Sequence, residues 1–397
     1  MQGPLAGVRV IDFTGVVSGP LATMYLADQG ADVIKIEPLS GDITRRSRQP
    51  IDAGGQFSSL FISSNRGKRS LALDVKSTKG REIILKLIGD ADVLVQNFRP
   101  GTMERLGLGV DVIRKKYPRL IYVSIDGVGD SGPYAHKRVY DPIVQALSGF
   151  ADIQVDPDSG RPRMIRTIVA DKTTAIFAAQ AITAALYGRE KSGQGDHIKI
   201  SMLDTMLSYL WPEGMMQYTV VGKEAVTADP NLRPDLVFAT KDGYITVGTI
   251  SDSEWIGFCD ASEKPDLKND SRFNTPTARS KNGTERILAM GEVLKERGSE
   301  EWLRRLDAHD VPCAPILRRS QIVDSEQVVA RNLIVEFDQP TVGRVRQPIP
   351  AARFSGCDMR TLRPAPKLGE HTRDILRNIG YSDSEVDQML EEKSVRM

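Results

Sequence analysis

VRVIDFTGVVSGPLATMYLADQGADVIKIE, residues 8–37, decides the fold class. It opens on VRVIDF, a short apolar and β-branched run that reads as a buried strand. Ser18, Gly19 and Pro20 then punctuate a helix start, and Pro20 suits a first turn that needs no amide hydrogen there. A helix through Leu21 to Gln29 stops at Gly30, and DVIKIE, residues 32–37, is a second strand. Strand, helix and strand in this order make a βαβ unit, with parallel strands and a right-handed crossover.

The alternation continues outward. Ile83, Ile84, Leu87 and Ile88 have helical spacing and precede the strand VLVQNF, residues 93–98. A short helix over residues 110–116 precedes LIYVSI, residues 120–125. The longest apolar helix, Thr173 to Tyr187, precedes HIKISM, residues 197–202. This pattern predicts an α/β protein: a Rossmann-like large domain over residues 1–210, built on a parallel sheet, with ligands at the carboxyl ends of the strands. Beyond Trp211 the character changes. Residues 236–249 alternate around a Lys241-Asp242-Gly243 turn and residues 285–306 are charged and helical, so 225–325 is read as a smaller α+β domain. Residues 335–397, Pro-rich and then helical from Asp374, are expected to pack back on the large domain.

Composition narrows the function classes. A chain of 397 residues has room for two or three globular units. Its 53 basic and 52 acidic residues nearly cancel, so no whole-protein field draws it to nucleic acid or an anionic membrane. The apolar stretch from Ala175 to Leu186 is interrupted by Gln180 and Thr183 and is short of the roughly 20 residues of a membrane span. The start lacks the basic and long apolar regions of a secretory signal. Three scattered cysteines, Cys259, Cys313 and Cys357, form neither a disulfide framework nor a metal motif, which favours a reducing, cytoplasmic setting.

Several chemistries lack their motifs. The turn Thr14-Gly15-Val16-Val17-Ser18-Gly19-Pro20 does not carry the glycines of a dinucleotide fingerprint. No phosphate-binding GxxxxGK[ST] loop, HExxH pair or GxSxG elbow occurs, and the four histidines show no ligand spacing, so no metal site is expected. Asp171, in the string 167–173 TIVADKT, has two readings. It is either an N-cap accepting amide hydrogens or a nucleophile stabilised by the same helix N-terminus; spacing leaves both open. Basic residues recur after strand ends: Arg45, Arg46, Lys68, Arg69, Lys76, Arg99, Arg105, Lys137 and Arg138. Singly such charges are solvated surface; converging on one cleft they would neutralise a polyphosphate. Arg161, Arg163 and Arg166 precede Asp171 and could meet a dicarboxylate, although surface exposure is the simpler reading.

Taken in order, a series of strings resembles the family III CoA-transferases, the group of the formyl-CoA transferases, carnitine CoA-transferases and methylacyl-CoA racemases. They are residues 3–37, SGDITR (40–45), NRGKRSLALDVK (65–76), ADVLVQNFRPGTMERLGLG (91–109), Tyr140-Asp141, VADKTTA (169–175), SGQGDHIKISMLD (192–204), VPCAPIL (311–317), and LGEHTRDIL with LRNIGYSDSEV (368–386). The resemblance implies a transferase moving CoA from an acyl-CoA thioester to a carboxylic acid acceptor. Asp171 would be the nucleophile, passing through a mixed anhydride and an aspartyl-CoA thioester, with Asp141 beside it. It places CoA at Val17, Ser18, Leu73, Lys76, Asn97, Phe98, Arg99, Arg105 and Arg138. It also implies an interlocked homodimer and no cofactor, coenzyme A being a substrate.

Three departures from formyl-CoA transferases, at Pro38, Ser47 and the loop 247–252, point to an acyl group larger than formyl or oxalyl. The resemblance also admits a 2-methylacyl-CoA racemase, but the place of that branch's histidine base holds Tyr140, a poor base at neutral pH. A non-catalytic acyl-CoA-binding protein is the other alternative.

Overall fold

The computed structural model describes residues 3–47, 51–156, 159–223 and 234–397. The chain divides into two compact units: Met1–Asp152 with Met164–Thr219 and Asn332–Met397, and Ile153–Arg163 with Val220–Arg331.

In the first unit, β1 (Arg9–Asp12), α1 (Ser18–Asp28) and β2 (Asp32–Glu37) form the opening βαβ unit, Val10 standing opposite Val33. Next come α2 (Ser59–Asn65) and β3 (Arg69–Leu73), then α3 (Thr78–Gly89) and β4 (Val93–Gln96). After them run α4 (Thr102–Arg105), α5 (Val110–Lys116) and β5 (Ile121–Asp126). The helices α6 (Asp141–Leu147), α7 (Phe150–Ile153) and α8 (Val169–Ser192) precede β6 (His197–Ser201) and α9 (Met202–Gly214). The strand order is β3-β2-β1-β4-β5-β6, all parallel. It reverses between β1 and β4, so the loops after β1, β4 and β5 open one crevice at their carboxyl ends.

The strands are apolar on both faces because both faces are covered. Val10, Val33, Val93 and Val123 pack with α1 and the alanines of α8, while Ile11, Ile34, Leu94 and Tyr122 pack with Ile83, Ile84, Leu87 and Ile88 of α3. Neighbouring residues along a strand thus feed opposite cores, as period-two geometry requires. Periodicity assigns no strand to Arg69–Leu73; the structure puts β3 there, pairing Leu71 with Ile36. Helix α8 also begins earlier than the Thr173 read from spacing, and it ends at Gly193, whose φ of 70° stops the helix.

In the second unit, β7 (Phe238–Ala239), β8 (Tyr244–Val247) and β9 (Cys313–Pro315) form a small antiparallel sheet. Its core holds Trp255, Phe258 and Trp302 from the helices Asp252–Ser262 and Ser299–Asp307. The tail returns to the first unit as the hairpin β10 (Ile334–Gln339) and β11 (Gly343–Pro348) and the helices Thr372–Asn378 and Asp383–Glu391. It ends in β12 (Val395–Arg396), which pairs antiparallel with β3 and closes that sheet edge.

Candidate active site

The loop after β1 is built on a buried charge network. Asp12 is fully buried and accepts hydrogen bonds from the Thr14 N–H at 2.9 Å, the Thr23 hydroxyl at 2.7 Å and the Lys68 ammonium at 2.9 Å. Lys68 also donates to the Pro20 carbonyl and to Asn65 Oδ1. Lys35 donates to the Thr14 carbonyl at 2.7 Å and lies 3.0 Å from Asp42. Burial raises a carboxylate's pKa, yet Lys68 and Lys35 outweigh it and hold Asp12 below its ordinary value. Burial pushes Lys68 down to about 8 against the attraction of Asp12. Arg45 is likewise buried, bonded to both oxygens of Glu37 at 2.8 and 2.7 Å. Arg45 and Lys68, offered by the sequence as polyphosphate ligands, are therefore committed to internal partners.

The network delivers a tight turn into α1. Gly15 is held from the end of β4, its N–H donating to Asn97 Oδ1 at 2.9 Å and its carbonyl accepting from Asn97 Nδ2 at 2.8 Å. Val16 follows with φ of 68°, an uncommon conformation for a β-branched residue. Val17 then precedes α1 without a side-chain cap, leaving Ser18 to head the helix.

Asp171 meets Ser18 because α1 and α8 pack side by side and both begin at the same end of the sheet. It lies in the first turn of α8, past the N-cap position, which Ile168 occupies. The cap reading is thereby corrected: the capping oxygens come from Asp141 at the head of α6. Its Oδ2 accepts the Ala170 N–H at 2.7 Å and the Asp171 N–H at 3.1 Å. Burial first, and the charge of Asp141 second, push Asp171 up to about 6, while the Ser18 hydroxyl and amide oppose the rise. Both helix N-termini favour its anion. The carboxylate is thus ionised at neutral pH but poorly solvated, the condition of a reactive oxygen nucleophile.

Gln145, 1% exposed, completes the support. Its Nε2 donates to Asp141 Oδ1 at 2.6 Å and its Oε1 accepts the Ile165 N–H at 3.0 Å, tying the segment before α8 to α6. Sequence reasoning passed over it, although it stands one helical turn beyond Asp141, where i,i+4 side chains meet.

Asp171 and Ser18 line a cavity of about 360 Å³ with Asn97, Phe98, Arg99 and Arg138, and with Val16, Tyr140 and Met202. The crevice therefore brings together the nucleophile and five of the residues that the resemblance gives to CoA: Ser18, Asn97, Phe98, Arg99 and Arg138. Lys76 and Arg105 line a different recess of about 590 Å³ with Ser77, Thr78 and Arg81. Val17 and Leu73 are buried, so neither offers its side chain to a ligand, and Asp141, 2% exposed, sits behind the cavity wall. Arg166 is exposed, whereas Arg161 and Arg163 belong to the second unit, where Arg163 pairs with Asp156. Among the described residues, no cluster of His, Cys, Asp or Glu is placed to hold a metal ion, and no helix is long and apolar enough to cross a membrane.

The chain matches the model of CoA-transferase family III over residues 5–372. It is 35% identical to a mouse (Mus musculus) succinyl-CoA:glutarate CoA-transferase over 98% of this chain and 89% of that one. It is 36% identical to a succinate–glutarate CoA-transferase of Agrobacterium fabrum, over 95% and 96% of the two chains. A crystal structure of a CAIB/BAIF family protein from Brucella suis superposes with a TM-score of 0.80 at 31% identity, covering 96% of this chain and all of that one.

Proposed function

The chain belongs to CoA-transferase family III, and we propose that it moves coenzyme A from a dicarboxylic acyl-CoA thioester to a second dicarboxylate through Asp171. The observation that carries this reading is the carboxylate itself: half-buried, with its pKa raised to about 6, facing Ser18 in a cavity with Arg99 and Arg138.

An Asp171 oxygen attacks the thioester carbonyl carbon, the C–S bond breaks, and CoA leaves as thiolate from a mixed anhydride. The thiolate attacks the aspartyl carbonyl and releases the first acid as its carboxylate, leaving an aspartyl-CoA thioester. An acceptor carboxylate attacks that aspartyl carbonyl and frees the thiolate again; the thiolate then takes the acceptor acyl group and restores Asp171. Each step exchanges one activated acyl bond for another and none releases the acyl group to water, which is the use of a covalent intermediate. No electron is transferred, and coenzyme A enters as a substrate, with no further cofactor.

In this reading the pantetheine and acyl end occupy the cavity beside Phe98, and Lys76 and Arg105 face the charged nucleotide end. Asp141 caps α8 and positions the nucleophile. The dicarboxylate class is taken from the two glutarate-utilising relatives. The protein acts in the cytoplasm as a homodimer, consistent with three free cysteines and with the exposed Ile176, Tyr187, Tyr209 and Trp211 on α8 and α9.

The test is to incubate the protein with succinyl-CoA, trap the aspartyl-CoA thioester, called below the Asp171 ester, with hydroxylamine or borohydride, and locate it by mass spectrometry. A modification at Asp171, absent from Asp171→Ala, is expected; labelling elsewhere would sink the proposal. A screen of acyl-CoA donors against carboxylic acids then names the substrates.

A further inference from the structure

The wall of the Asp171 cavity contains a strained residue with a specific restraint. Val16, at φ of 68°, is exposed to the cavity, and its β-branched side chain disfavours that conformation. Such a residue persists only where its surroundings over-determine it, and strain of this kind collects at working sites. The surroundings are visible on both sides of the turn. Upstream, Thr14 is fixed three ways: its N–H and hydroxyl on Asp12, and its carbonyl on Lys35. Between Thr14 and Val16, Gly15 has its N–H and its carbonyl both bonded to the one carboxamide of Asn97. Downstream, Gly19 approaches the Thr14 side chain so closely that an added Cβ would lie 2.4 Å from it, so the head of α1 rests directly on Thr14.

The consequence falls on Ser18. With Val17 offering no side-chain cap, the left-handed step at Val16 sets where α1 begins, and so where the Ser18 hydroxyl and amide face Asp171. Those donors lower the carboxylate's pKa and fix the direction in which its oxygens face. The Asn97 carboxamide spends its oxygen and one amide hydrogen on Gly15, a use that contact with CoA does not require.

We infer that Asn97 is a positioning residue: by clamping both peptide groups of Gly15 it holds the strained Val16 turn that aims Ser18 at Asp171. The inference rests on Asp171 being the nucleophile. Without the clamp, Val16 relaxes out of the left-handed region and the head of α1 moves. Glycine at the same position would tolerate that region unaided.

The experiment is a double-mutant cycle on single-turnover formation of the Asp171 ester, with succinyl-CoA as probe. Asn97→Ala should slow ester formation roughly tenfold to a hundredfold, the scale of a small misplacement. In a Val16→Gly background, the same Asn97→Ala change should cost no more than about threefold, because glycine holds the turn without the clamp. CoA affinity, measured on Asp171→Ala with and without Asn97→Ala, should change by less than about threefold. Should Asn97→Ala not fold, Asn97→Asp, which keeps the acceptor but loses the donor to the Gly15 carbonyl, should show the same loss and the same relief by Val16→Gly.

Equal loss in both backgrounds, or a loss confined to CoA affinity, would overturn the clamp. An Asp171 ester formed by the unsubstituted protein and unslowed by Asn97→Ala would overturn it while leaving the proposed function standing. No ester on Asp171 in the unsubstituted protein would remove both.

Discussion

Asp141 Oδ2 accepts the backbone N–H of Asp171 at 3.1 Å, so one buried carboxylate both caps α8 and raises the pKa of its neighbour. The two effects have opposite consequences when Asp141 is removed. Asp141→Ala leaves two amide hydrogens and Gln145 without their acceptor, and a loss of roughly 1–3 kcal/mol in stability is expected. The same change removes a like charge, so the acid limb of the pH–rate profile should move to lower pH. Thermal melts and that profile check both; a limb that stays in place would show that Asp141 exerts no field on Asp171.

The pH dependence of the unsubstituted protein follows from Asp171 alone. With its pKa pushed up to about 6 by burial and then by Asp141, ester formation should be flat above pH 7. It should fall about tenfold per pH unit below 6 as the nucleophile is protonated.

Stability should run the other way for this residue. A carboxyl raised in the folded state contributes stability below its unfolded value of 3.8 and loses it as pH rises through about 6. Asp171→Asn should therefore stabilise the protein at pH 7, by no more than about 3 kcal/mol, with the gain vanishing below about pH 4. Chemical denaturation at the two pH values measures it.

Lys68→Met tests the buried network. It leaves Asp12 with one of its two cationic neighbours gone, and removing one partner of a buried pair costs roughly 3–5 kcal/mol. A denaturation midpoint within error of the unsubstituted protein would mean that Lys35 alone neutralises Asp12.

Arg138→Ala and Arg105→Ala separate the two recesses. Each should weaken CoA binding about tenfold, ~1.4 kcal/mol, and do so more than it slows the chemical step. Calorimetry with CoA on the Asp171→Ala protein reads the affinity, and an unchanged value would take that arginine out of the site.

The strands and helices of residues 8–37 were legible because an apolar β-branched run, a Pro-marked helix start and a Gly stop are local signals. So was the placement of a crevice at the strand ends, since alternating strands and helices make a parallel sheet whose order must reverse somewhere. The strand Arg69–Leu73 and the terminal strand Val395–Arg396 carry too little local pattern; they exist because a sheet edge was there to receive them. The ordered strings marked Asp171 without saying where its oxygens point. Only the packing of α1 against α8, and of Asp141 against the head of α8, decided that Asp171 is not the cap. Arg45 and Lys68 read as available cations on paper and are buried ion-pair members in three dimensions. The physical reason is the same each time: a helix start or a charge is a local property, while the partner that caps or neutralises it comes from distant sequence, and folding alone brings the two together.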